Sequence, residues 1–139
     1  VDENTVAEFP ADDRGALILY AHWTQTHTLT TPALVPYTWL NQWANDIPDY
    51  EALAHSNGVN GLPFWESYVA WLNPTDANSR FRITNIVVNA ESRVSALDWN
   101  PRRSDRVYTV MGKTNLTDKA WHSPTNDATR FFKVTVELP

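Results

Sequence analysis

Three of four strand-like stretches in the second half of this 139-residue chain alternate their side chains with a period of two, and this period constrains the fold more than any other feature. In the last stretch, from Arg130 to Leu138, Phe132, Val134, Val136 and Leu138 share one face, as in a half-buried strand. Arg80 to Ile86 alternates through Phe81 and Ile83, Val94 to Trp99 follows, and Arg106 to Gly112 sets Val107, Thr109 and Met111 against Tyr108 and Val110. Asn100-Pro101 and Asn115-Leu116-Thr117-Asp118 punctuate these runs. Strands so spaced point to a small antiparallel sandwich, with Trp99, Tyr108, Val110, Trp121, Phe132 and Val134 as its expected core.

Upstream the period is helical. Residues 36–45 set Trp39 and Trp43 four apart, and Pro36 suits a first turn. Tyr50 to His55 supplies another turn or two. Phe64 to Leu72 places Phe64, Tyr68 and Trp71 on one face before Asn73-Pro74 stops it. Asn57-Gly58 and Asn60-Gly61 mark tight turns. Residues 25–35, rich in Thr and Pro, read as a connector rather than a packed element. Before them, Ala16 to Trp23 reads as a strand, with Val6 to Phe9 as its partner. The expected divisions are residues 1–24, 25–35, 36–78 and 79–139.

Charge divides the chain at the same place. Residues 1–79 hold one base, Arg14, against ten acids, and residues 80–139 hold ten bases against six acids. Two units of opposite sign attract one another, and Glu66 or Asp76 facing Arg80 or Arg82 is the expected seam. The basic half is too interleaved with acids for a nucleic-acid surface. No apolar run approaches the ~20 residues that cross a bilayer.

The chemistry on offer is sparse. With no Cys, disulfides, thiolate catalysis and Cys-based metal sites are excluded. His22, His27, His55 and His122 lack the spacing of a zinc site. Asp46, Asp49, Glu51 and Glu66 are the acids available for glycoside hydrolysis, but Asp46 and Asp49 flank Pro48 in a turn, where carboxylates cap backbone donors. Ser56, Ser67 and Ser123 sit in no nucleophile motif. Neither an enzyme nor a cofactor is expected. Seven Trp, five Tyr and five Phe serve first as core in a chain this small.

The run Gly61-Leu62-Pro63-Phe64-Trp65-Glu66-Ser67-Tyr68-Val69-Ala70-Trp71-Leu72-Asn73-Pro74-Thr75-Asp76 resembles a W-E-x-Y-V-A-G-x-D-P-T-D junction. That junction belongs to C-terminal tail modules of large exported proteins of Verrucomicrobia, Kiritimatiellae and Lentisphaerae. Val35-Pro36-Tyr37-Thr38-Trp39-Leu40 is similar to the V-P-Y-x-W-L opening of those tails, and Tyr108 to Leu138 to their terminal sandwich. Leu19-Tyr20-Ala21-His22-Trp23-Thr24 resembles the end of a Listeria–Bacteroides (internalin B-type) repeat, which makes residues 1–24 the last strands of a surface repeat.

Two positions depart from that pattern. Relatives often carry an acidic calcium loop before Trp-Glu, whereas Asn57 to Gly61 offers amides and no acid. Trp71 stands where the junction has Gly.

The resemblance implies a fibronectin- or immunoglobulin-like sandwich behind a short helical subdomain, in a non-catalytic structural, adhesion or sorting module at the end of a secreted or cell-surface protein. Its partners would be the rest of that protein, with surface polysaccharide or self-association besides. The alternatives are a carbohydrate-binding module that stacks sugars on Trp65 and Trp71, and a strand-exchanging subunit of an extracellular fibre.

Overall fold

The computed structural model describes residues 24–44, 49–90, 93–124 and 129–139. The helical-period segments form α1 (Tyr37–Leu40), α2 (Tyr50–His55) and α3 (Phe64–Ala70), and the alternating segments form β1 (Arg82–Val88), β2 (Val94–Asn100), β3 (Val107–Lys113) and β4 (Phe131–Glu137). The strand expected at Ala16 to Trp23, its partner at Val6 to Phe9, the repeat ending, His22 and Asp46 lie outside the described residues.

Local chemistry sets the helix limits. Asp49 caps α2, its Oδ1 accepting from the Glu51 and Ala52 amides at 3.0 and 3.1 Å. α1 ends after one turn at Leu40, well short of the expected residue 45, and the chain continues as an irregular turn. A single turn barely repays its nucleation, so packing of Trp39 and Leu40 rather than propensity holds it.

The buried core lies in this helical unit. Val35, Leu40 and Ala54 are fully buried, with Trp39 and Phe64 beside them and Trp43, Trp65 and Tyr68 packed around. Trp39 is the hub: its ring meets Trp43 edge-on at 5.8 Å, Phe64 at 6.4 Å and Tyr68 at 5.2 Å. Each such buried ring stabilises the fold by roughly 1.5–3 kcal/mol.

Residues 25–35, read from their composition as a connector, are anchored to this unit through buried Thr28, Thr31 and Val35, while Leu29 and Leu34 stay exposed. The Val35 amide donates to Thr28 Oγ1 at 2.9 Å, and Thr31 Oγ1 stands 2.5 Å from Thr28 Oγ1 and donates to the Ala33 carbonyl at 2.7 Å. Thr28 is fully buried and Thr31 nearly so. A Thr-rich composition conceals such a relay, because each hydroxyl satisfies a neighbour and so tolerates burial.

Each pair of strands makes a two-stranded antiparallel ribbon. β1 and β2 pair from Arg82↔Asn100 to Val88↔Val94 with two register irregularities, and β3 and β4 pair without a break from Val107↔Glu137 to Lys113↔Phe131. Among the described residues the second edge of each strand pairs with no other strand, and that of β3 is met at Gly112 by a single bridge to His122. The ribbons meet where Phe81 stacks on Tyr108 at 6.2 Å and Trp99 tilts against the same ring at 5.4 Å.

Trp99, Tyr108, Val110, Trp121, Phe132 and Val134, expected as a closed core, are only half-buried. Two strands per sheet cover too little of the facing layer to exclude water from it. Trp121 belongs to no strand, and the adjacent His122 forms a lone bridge to Gly112. No helix among the described residues is long and apolar enough to cross a membrane.

Candidate functional site

α3 ends in a Schellman motif. The Leu72 amide donates to the Ser67 carbonyl at 2.7 Å and the Trp71 amide to the Tyr68 carbonyl at 3.2 Å. This geometry puts Trp71 at φ 55°, ψ 48°, the left-handed region that glycine favours. A side chain there costs about 1 kcal/mol, and the chain places a 42 % exposed indole at that position. A bulky side chain thus stands where glycine would be least strained.

Arginines from the β2–β3 connection secure this end of the helix. Arg106 Nε donates to the Val69 carbonyl at 2.9 Å and Nη2 to the Tyr68 carbonyl at 3.1 Å, so one guanidinium caps the last turn. Its side chain is only 4 % exposed and lies 5.0 Å from the Tyr68 ring centre. Arg103 stacks over the Trp71 indole at 3.8 Å and forks onto Asp105 at 2.7 and 2.9 Å. The Arg103 fork holds the Asp105 carboxyl below the usual carboxylate range, and Asp105 raises the Arg103 guanidinium in turn.

Beside Trp71 opens a cleft of about 490 Å³ whose lining includes Arg80, Arg82, Asn78, Thr84 and Asn100. Its lining holds two cations and no acid. Arg82 Nη2 donates to the Asn78 carbonyl at 3.2 Å. Asp76 stays with its own turn, its Oδ1 accepting from the Asn78 amide at 2.8 Å.

The expected seam therefore takes other residues. Among the described residues no ion pair joins Glu66 or Asp76 to Arg80 or Arg82; α3 packs against β4, and the polar and cation–π contacts at its C-terminal end run through Arg103 and Arg106. Helix carbonyls, which carry no formal charge and leave no trace in composition, serve as the acceptors. The signal for these two arginines was the dense run Arg102-Arg103-Ser104-Asp105-Arg106 ahead of β3.

Trp65 and Trp71 line different clefts. Trp65 is half-buried against the helical core and lines a cleft with Val69 of α3 and Val136 of β4, with Glu66 beside it. A joint stacking platform is not formed.

Glu51 gathers the other polar cluster. Its carboxylate accepts from Thr30 Oγ1 at 2.5 Å, the Leu29 amide at 2.7 Å, Gln25 Nε2 at 3.0 Å and the Thr30 amide at 3.2 Å. The Thr30 hydroxyl, foremost, and these amides hold Glu51 below its ordinary range. Burial pushes the Tyr37 phenol up, and Glu51 at 3.5 Å adds to it. His55 Nε2 lies 3.0 Å from Thr30 Oγ1. The cluster fastens residues 25–30 to α2.

The Asn57 to Gly61 loop is closed by its own groups. Asn60 is fully buried, giving its amide to Ser67 Oγ at 2.9 Å and accepting from the Leu62 amide at 3.1 Å, and Gly61 turns at φ 81°. A Cβ on Gly58 would lie 2.5 Å from the Pro74 carbonyl oxygen, so the loop needs glycine there. Among the described residues no cluster of three or more His, Asp or Glu could hold a metal ion. Comparison with family models, curated proteins and solved structures finds no match for this chain.

Proposed function

We propose that this chain is a non-catalytic structural module of a larger secreted or cell-surface protein, serving adhesion or sorting. The observation that carries this reading is how its reactive-looking groups are employed. Trp39, Phe64 and Tyr68 form one aromatic core, Glu51 fastens a loop, and Arg106 caps a helix. The motifs similar to tail modules of exported proteins support the same setting.

In this reading the two ribbons are part of a fibronectin- or immunoglobulin-like sandwich, which in its complete form has about seven strands. The open edges of the ribbons are where further strands of the parent protein would pair.

A second reading, strand exchange between copies in an extracellular fibre, is favoured by one observation. Ile86, Val87 and Val88 are consecutive, apolar and exposed in β1, at 52 %, 43 % and 57 %. Antibodies raised against this chain test the main reading on cells that make the parent protein. Labelling of intact cells is expected; labelling that needs permeabilisation would refute it.

A further inference from the structure

We propose that the cleft between Trp71 and the pair Arg80 and Arg82 binds an acidic saccharide, a pyranose chain bearing carboxylate or sulfate groups. Three independent features meet there. The first is the indole itself, held in a left-handed conformation at a position where glycine would be easier, and left 42 % exposed. A strained, exposed aromatic residue is a mark of function rather than of packing. Arg103 stacks on the ring at 3.8 Å and Arg106 lies 5.6 Å from its centre, and the exposed part of the indole in the cleft lining is an apolar surface of the kind that receives the C–H face of a sugar.

The second feature is charge. Arg80 and Arg82 line the cleft with no acid beside them, and neither forms an ion pair among the described residues. Arg103 and Arg106, by contrast, are matched by Asp105. A cleft lined by one sign of charge concentrates ligands of the other, and guanidinium forks suit carboxylate and sulfate oxygens.

The third is the polar remainder of the lining. Asn78, Asn100 and Thr84 present amide and hydroxyl side chains, groups that donate to and accept from sugar hydroxyls. At about 490 Å³ the cleft falls within the usual size of small-ligand sites, roughly 300–1,000 Å³. A neutral sugar would leave the two arginines unanswered, and a bare anion would leave the indole unused.

The cleft would recognise such a saccharide whether or not the module serves a larger surface protein, so the two readings fail separately. Affinity electrophoresis of the whole chain through gels containing polygalacturonate, dextran sulfate or neutral hydroxyethylcellulose tests the proposal, with titration calorimetry for affinities. Retardation by an acidic polymer and not by the neutral one is expected. Which acidic polymer acts tells carboxylate from sulfate recognition.

Trp71→Gly is the decisive variant, because glycine suits the left-handed position and the thermal melt should survive. It should weaken binding at least tenfold, as should Arg80→Gln combined with Arg82→Gln. The proposal is overturned if neither acidic polymer retards the chain, if the neutral polymer retards it equally, or if Trp71→Gly binds like the parent. That last result would mean diffuse attraction of a polyanion to the basic half.

Discussion

Replacing Arg106 should destabilise the whole chain, because its side chain ties the end of α3 to the β2–β3 connection, alongside the packing of α3 against β4. Arg106→Ala removes two charge-assisted hydrogen bonds to the α3 carbonyls, each contributing about 2 kcal/mol. It also removes the contact with the Tyr68 ring, which adds about 1 kcal/mol. Freedom regained by losing a long ordered side chain offsets about 2 kcal/mol. The Tyr68 carbonyl keeps the Trp71 amide as a donor, so only the Val69 carbonyl is stranded. A net loss of about 3 kcal/mol follows. With a urea slope of about 1.5 kcal/mol/M for a domain of this size, the unfolding midpoint should fall by about 2 M.

Arg106→Met retains much of the apolar stem and should lose nearly as much, while Arg106→Lys, one ammonium in place of a fork, should recover roughly half. Equilibrium urea unfolding followed by tryptophan fluorescence is the assay. A midpoint for Arg106→Ala within about 0.5 M of the parent would show that the guanidinium cap does not couple the two halves.

Two further outcomes are expected. Glu51 is held below its ordinary value of 4.5, so its contribution to stability is complete above that value and is lost as pH falls through the lower folded one. Glu51→Gln should therefore flatten part of the acid limb of a melting-temperature profile, and an unchanged limb would discount the cluster around Thr30. Val87→Lys charges the exposed apolar run of β1 and, if copies exchange strands there, should abolish growth in scattering mass with concentration. Parent chains that stay monomeric at every concentration would remove the fibre reading.

How legible the fold was depended on whether a residue's role lay in its own pattern or in a distant partner. Alternation in Phe132, Val134 and Val136 located β4 to within a residue at each end, since a strand writes its period directly into the sequence. α2 was equally plain at Tyr50 to His55, whereas α3, expected to reach Leu72, ends at Ala70 because Trp71 turns left-handed. The core was not, because the same aromatic richness marks both halves and only tertiary closure decides which rings leave water. Thr28 and Thr31 misled for a related reason: their hydroxyls look solvated until the Val35 amide and Ala33 carbonyl are seen to satisfy them. At the site, Trp71, Arg80 and Arg82 were each singled out from the letters, yet as two separate ideas, a stacking ring and a charged seam. The left-handed turn at Trp71 brings them to one cleft.

That convergence gives the charge division of the chain a physical meaning. The acidic part ends and the basic part begins at Asn78-Ser79-Arg80, in the loop between α3 and β1. A helix C-terminus carries partial negative charge on its free carbonyls, and here Arg106 covers those carbonyls while Arg103 takes Asp105 and one face of Trp71. With the nearby acceptors answered from the β2–β3 connection, Arg80 and Arg82 keep their charge for the cleft. Had Glu66 and Asp76 paired with them, as opposite charges at a seam invite, the same residues would have formed a neutral joint and Trp71 would be an expensive substitute for glycine. Helix capping by Arg106, stacking by Arg103 and an open cationic cleft at Arg80 and Arg82 are thus one arrangement, and Arg106→Ala, by releasing the α3 carbonyls, should weaken acidic-saccharide binding as well as stability.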